Sequence, residues 1–191
     1  MRNLKNQFRT MGQLNTRDEA SDEMKITGYF IVFNSETELC EGMFEEISDE
    51  AFKDIDLSDV RALADHDTSK VLGRTKSSTL TLSVDDKGLY GEIKVNPNDT
   101  DAVNLYERVK RGDIDQCSFG FDILDERMER REDGSTKWTI TEIKLFEVSV
   151  VTFPAYADTA VQARSNEIKQ FEQRKIEKRK TIIKEKMKTW H

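Results

Sequence analysis

Histidine, cysteine and proline each occur only twice in 191 residues, and each scarcity removes a class of explanation. Two histidines, His66 and His191, and two distant cysteines, Cys40 and Cys117, are too few to assemble a zinc site of nitrogen and sulfur ligands. No metal or cofactor is expected. Two cysteines make no disulfide framework, so a reducing, cytoplasmic setting is the expectation. No apolar run is long enough to span a bilayer and no signal peptide is evident, so no membrane partner is expected. Aromatic residues make up 8% of the chain and charged residues 35%, which predicts a modest core under a heavily solvated surface.

The charge is unevenly spread. Residues 164–191 carry 10 Lys and Arg against 4 Glu; of the 30 basic and 37 acidic residues in the whole chain, this leaves 20 against 33 for residues 1–163. An acidic body is a poor surface for nucleic acid, so no specific nucleic-acid partner is expected. The basic end suits acidic partners.

Residues 1–23 are polar, carry both charges and show no sustained period, which reads as a flexible arm. From Lys25 to Asn34 the chain is rich in β-branched and aromatic residues, as a strand requires. Further strands are predicted at Met43–Ile47, Val60–Ala64, Thr79–Val84 and Leu89–Val95. The last two are joined by Asp85-Asp86-Lys87-Gly88, a hairpin signal with glycine where a positive φ is wanted. Ser48 reads as a helix cap. Asp99 or Thr100 caps a helix that runs to Arg111, with apolar residues at helical spacing and Gly112 at its end. Strands then follow around Ser118, from Lys137 to Ile143 and from Leu145 to Phe153. Residues 165–191 read as a basic, amphipathic helical extension. The expected fold is α+β: a mainly antiparallel β-barrel or sandwich over about residues 24–164, flanked by a few helices.

Three residues carry the candidate chemistry. Gln116 to Asp122 alternates in a strand's two-residue rhythm, placing Cys117, Phe119 and Phe121 on a core face. Ser118 and Gly120 fall on the other face, where a small hydroxyl beside a bare glycine is expected to leave open space for a substrate backbone. A serine hydroxyl is a weak nucleophile unless an imidazole takes its proton, and the imidazole works best when an acid orients it. His66 is the only histidine inside the folded body. Glu147 lies in Leu145-Phe146-Glu147-Val148-Ser149-Val150-Val151; with Phe146, Val148 and Val150 read as the buried face, Glu147 and Ser149 share the opposite one. Asp65 and Asp67, the neighbours of His66, are the alternative acids. Cys117 shares the face of Phe119 and reads as a buried small hydrophobe.

The ordered blocks Gly28-Tyr29-Phe30-Ile31-Val32-Phe33-Asn34, Asp49-Glu50-Ala51-Phe52, Ala62-Leu63-Ala64-Asp65-His66-Asp67, Leu72-Gly73-Arg74, Gly88-Leu89-Tyr90, Arg111-Gly112, Cys117-Ser118-Phe119-Gly120-Phe121 and Phe146 to Tyr156 resemble the prohead maturation proteases of tailed bacteriophages. The resemblance covers about residues 24–164. It implies a serine endopeptidase with a fold similar to herpesvirus assemblin, a β-barrel flanked by helices. Its histidine block falls on His66 and its serine block on Ser118; Glu147 as third member rests on the strand pattern. By the same resemblance, the substrates are the scaffold or the scaffold-like N-terminal segment of the major capsid protein, and then the protease itself. The setting is the procapsid inside the host bacterial cytoplasm, where crowding favours weak self-association. Two other readings compete: a non-catalytic scaffold-binding assembly protein that works through its basic tail, and an acyl hydrolase using the same three residues. Against the second, the chain has no Gly-x-Ser-x-Gly elbow.

Overall fold

The computed structural model describes residues 4–18 and 23–153. Ten strands carry the fold: β1 (Leu4–Asp18), β2 (Met24–Val32), β3 (Thr37–Cys40), β4 (Met43–Ile47), β5 (Arg61–Ala64), β6 (Asp67–Arg74), β7 (Leu80–Val84), β8 (Gly88–Lys94), β9 (Gln116–Arg130) and β10 (Thr136–Val151). One α-helix, α1 (Thr100–Arg111), and two 3₁₀ turns complete the described residues. The expected helical extension over residues 165–191 lies outside them.

The helix forms where its local chemistry places it. The Asp99 carboxylate accepts from the amides of Asp101 and Ala102, and Gly112 closes the last turn. Ala102, Leu105, Tyr106 and Val109 recur on one face and are buried in the core with Phe30, Phe119 and Phe121. Ser48 also caps as expected, but what it starts is only the short 3₁₀ turn Asp49–Phe52.

The strands pair in the order β3-β4-β10-β9-β1-β2-β8-β7, with β5 bonded to β10 and β6. Most neighbours are antiparallel. Strand β10, however, takes two parallel partners: β4 along Thr136–Ile140 and β5 along Glu147–Val150. The long strand therefore branches the sheet, and the path between β3 and β7 stays open. The closed barrel expected from the sequence is not found among the described residues.

Strand β1 is the second departure. Residues 4–18, read as part of a flexible arm, form a 15-residue strand. Their large apolar residues, Leu4, Phe8, Met11 and Leu14, are sparse and fall three or four apart, so nothing local announces a strand. The strand is held by distant partners: residues 4–13 pair with β9 and residues 14–18 with β2. A buried Arg9–Glu45 ion pair ties it to β4, with Arg9 Nε 2.5 Å from Glu45 Oε1.

A third departure is small. Gly88 does not have a positive φ. It is needed because a Cβ there would overlap the Ile31 carbonyl, while the Asp85 carboxylate accepts from the Lys87 and Gly88 amides to close the turn.

Candidate active site

His66 is presented by a tight two-residue hairpin. Ala64 pairs with Asp67, so Asp65 and His66 alone form the turn between β5 and β6. Both have left-handed backbones, with φ of 49° and 59°, as a two-residue type I′ turn demands. Non-glycine residues there cost on the order of 1–3 kcal/mol each, and such strain persists only where surroundings enforce it. Asp65 supplies the enforcement. Its amide donates to Val150 O at 2.9 Å, and its carboxylate accepts from the Thr152 amide at 2.7 Å and the Thr152 hydroxyl at 3.1 Å. The hairpin is thus bolted to the end of β10.

Glu147 reaches His66 from β10. Between Leu145 and Glu147 the β9–β10 register slips, and Phe146 is the extra residue, half-buried rather than part of the buried face read from the sequence. Such a bulge re-aims the residues after it. Beyond it, Val148 and Val150 enter the core, and Glu147 and Ser149 take the other face. Glu147 Oε1 lies 2.7 Å from His66 Nδ1. A carboxylate accepts, so Nδ1 donates, and in the neutral ring Nε2 is left as the acceptor. The second oxygen of Glu147 accepts from the Ser149 hydroxyl at 2.5 Å. Both oxygens of the acid are therefore fixed in place.

Ser118 occupies β9 directly opposite Ser149. One step along the same face, Gly120 pairs with Glu147. A Cβ on Gly120 would lie 2.5 Å from Glu147 Oε1 and 3.0 Å from the Phe8 ring. The bare glycine is the floor on which the His66–Glu147 pair rests, so the face expected to be open is filled. Ser118 is 0% exposed. Its hydroxyl donates to Arg9 O at 2.8 Å, not to His66. His66 Nε2 is buried without a hydrogen-bond partner, and the ring of Phe8 packs against the imidazole at 4.4 Å between centroids. The structure brings His66 and Glu147 into contact and sets Ser118 on the same face, with its hydroxyl turned to β1.

The competing residues are otherwise engaged. Asp65 serves Thr152, and the Asp67 carboxylate accepts from the Ser69 amide and hydroxyl. Cys117 points into the core, where burial pushes its thiol up to about 12, and it donates to Tyr29 O. That is the opposite of an activated thiolate. Arg74, a conceivable oxyanion donor, is paired with Asp59. Sequence reasoning placed Ser149 on the face of Glu147 but missed its hydrogen bond. It missed Phe8 and Arg9 altogether, since only the pairing of β1 brings them to the site.

A family model described as caudovirus prohead serine protease matches residues 12–174. The chain belongs to that family. This prohead protease is accordingly a serine peptidase of phage capsid maturation. It matches no curated protein and no solved structure. Among the described residues no helix is long and apolar enough to cross a membrane, and no group of three or more His, Cys, Asp or Glu is arranged to hold a metal ion. A cleft of about 700 Å³ flanks the His66 turn, between β6 and α1, lined by Asp65, Leu72, Leu105, Arg108 and Thr152 among others.

Proposed function

We propose that Ser118 is the nucleophile of this prohead protease, His66 its general base and Glu147 the acid that orients His66. The observation that carries the reading is the 2.7 Å contact of His66 Nδ1 with Glu147, which leaves a buried, unpartnered Nε2 on the face that bears Ser118. In the reaction, Nε2 takes the Ser118 proton as Oγ attacks the scissile carbonyl carbon, and Glu147 stabilises the imidazolium that forms. His66 then gives the proton to the leaving amine, and the acyl-serine is hydrolysed by water activated the same way.

The substrates in this reading are the scaffold or the scaffold-like N-terminal segment of the major capsid protein, and the protease itself, all inside the procapsid. Removing scaffold frees volume and makes assembly irreversible. The basic residues 164–191 tether the enzyme to acidic scaffold segments and form a region for self-trimming. The kinship with herpesvirus assemblin belongs to the same reading, supported by the mainly antiparallel strands and by α1 packed on them. The test is co-expression with the capsid protein. Ser118→Ala should abolish cleavage and self-trimming, both read by intact mass, without lowering the melting temperature by more than a few degrees. Full cleavage by that variant would sink the assignment and favour a non-catalytic assembly role.

A further inference from the structure

The hydroxyl of Ser118 meets a carbonyl of its own chain where a nucleophile would meet its substrate. Residues Gln7–Thr10 run antiparallel to Phe121–Ser118, in register, as an extended peptide laid along the strand that bears the nucleophile. That is how a peptide is recognised by strand addition. The carbonyl nearest the hydroxyl is that of Arg9, at 2.8 Å, and the preceding side chain, Phe8, covers His66 and Gly120. The strand fills the place a substrate backbone needs.

Three further features separate this segment from the body of the sheet. Up to Gln13, β1 pairs with β9 and not with β2; its pairing with β2 begins at Leu14. A register slip between Thr10 and Gly12 divides the segment from the remainder of β1. The matched stretch begins at residue 12, so residues 4–10 precede it. The segment is nonetheless firmly held. Arg9 and Glu45 are 8% and 3% exposed, and the guanidinium meets the carboxylate at 2.5 and 3.2 Å. Two-point pairing of this kind fixes both position and direction.

We propose that the edge of β9 from Ser118 to Phe121 is the binding site for the extended substrate peptide, and that Gln7–Thr10 occupies it in cis as an inhibitory strap latched by Arg9 and Glu45. The inference rests on Ser118 being the nucleophile. The strap is held and not cut because the Ser118 proton points to the carbonyl oxygen of Arg9. Attack needs the Oγ lone pair on the carbonyl carbon and the proton on His66 Nε2. Only chains whose strap has lifted can bind substrate, so apparent activity scales with the open fraction.

The experiment follows covalent labelling of Ser118 by a fluorophosphonate in the full-length chain, located by peptide mass. Arg9→Met removes the latch, and Phe8→Ala uncovers His66. Each should label about tenfold faster than the wild-type chain, or more. A synthetic peptide of residues 4–10, added in excess to Arg9→Met, should slow labelling again. If Arg9→Met fails to fold, as a thermal melt will show, the half-exposed Phe8 carries the test. Labelling of Ser118 that neither variant accelerates, or that the added peptide leaves unchanged, overturns the strap. The nucleophile assignment fails by a different result: equal labelling of a Ser118→Ala chain, or full capsid cleavage by it.

Discussion

Replacing Gly120 by alanine puts one methyl group where the His66–Glu147 pair crosses β9. The new carbon would stand 2.5 Å from Glu147 Oε1, 3.0 Å from the Phe8 ring and 3.2 Å from the Glu147 carboxyl carbon. Comfortable contacts for such a carbon begin near 3.5 Å, so Oε1 must retreat by roughly 1 Å. Phe8 is 39% exposed and can yield, but the carboxylate is held by Ser149 on one oxygen and His66 on the other. Its retreat therefore strains or breaks the bond to Nδ1. The backbone of Gly120 does not have a positive φ, so alanine fits the main chain. Overpacking of about 1–3 kcal/mol, set against about 0.4–1 kcal/mol gained by restricting the unfolded chain, leaves a net loss of at most about 2.5 kcal/mol. Catalysis should suffer far more. A misplacement of about 1 Å costs about 100-fold, and loss of a correctly placed acid about 10⁴-fold. The assay is kcat and KM on a capsid-derived peptide, with the melting temperature measured on the same preparation. The expected result is kcat reduced between those limits, KM nearly constant and the fold retained. A folded Gly120→Ala enzyme within about threefold of wild type would refute the idea that Glu147 acts through His66.

The same contacts carry other expectations. Ser149→Ala removes the 2.5 Å hydrogen bond to Glu147 Oε2. In the proposed triad Ser149 positions Glu147, so kcat should fall about tenfold, with no further loss in a Glu147→Ala background and partial rescue by Ser149→Thr. Asp65→Ala forfeits both bonds from Thr152 and leaves alanine in a left-handed turn. It should cost about 1–3 kcal/mol by denaturant melt, and full stability would show that the turn needs no bolt. The Cys117 thiol, pushed up to about 12 by burial, should resist iodoacetamide in the native chain at mildly alkaline pH while the unfolded chain reacts. Rapid native alkylation with loss of activity would reopen Cys117 as a reactive group.

What the sequence made legible was local. The alternation around Ser118 located a strand and the correct two faces. The cap at Asp99 or Thr100 and the glycine at Gly112 located the helix to within one residue. Scarcity of histidine singled out His66, and strand phase put Glu147 and Ser149 on one face although the phase shifts at Phe146. What stayed hidden depended on pairings distant in sequence. Nothing in Leu4–Asp18 predicts a strand, because its stability comes from β9, β2 and Glu45. The branching of the sheet at β10 was equally hidden, since parallel pairing with β4 and β5 leaves no local turn signal. The empty space read above Gly120 was real as an absence of side chain, but Glu147 and Phe8 fill it.

The hidden part and the legible part govern different quantities. In the proposed reading, His66, Glu147 and Ser149 set how fast an open site reacts, and Phe8, Arg9 and Glu45 set how often it is open. Moving the Ser118 hydroxyl from Arg9 O to His66 Nε2 exchanges one hydrogen bond for another, with little net change of about 1 kcal/mol or less. The balance between closed and open therefore falls to the strap's own contacts, above all the buried Arg9–Glu45 pair. Breaking a buried pair by withdrawing one partner costs about 3–5 kcal/mol. A conservative change at the latch should consequently alter the fraction of active enzyme while leaving the pH profile of the labelled fraction unchanged. A change at Ser149 should do the reverse. Measuring both on one preparation separates control of the site from its chemistry, and a latch variant that reshaped the pH profile would show that the two are not separable.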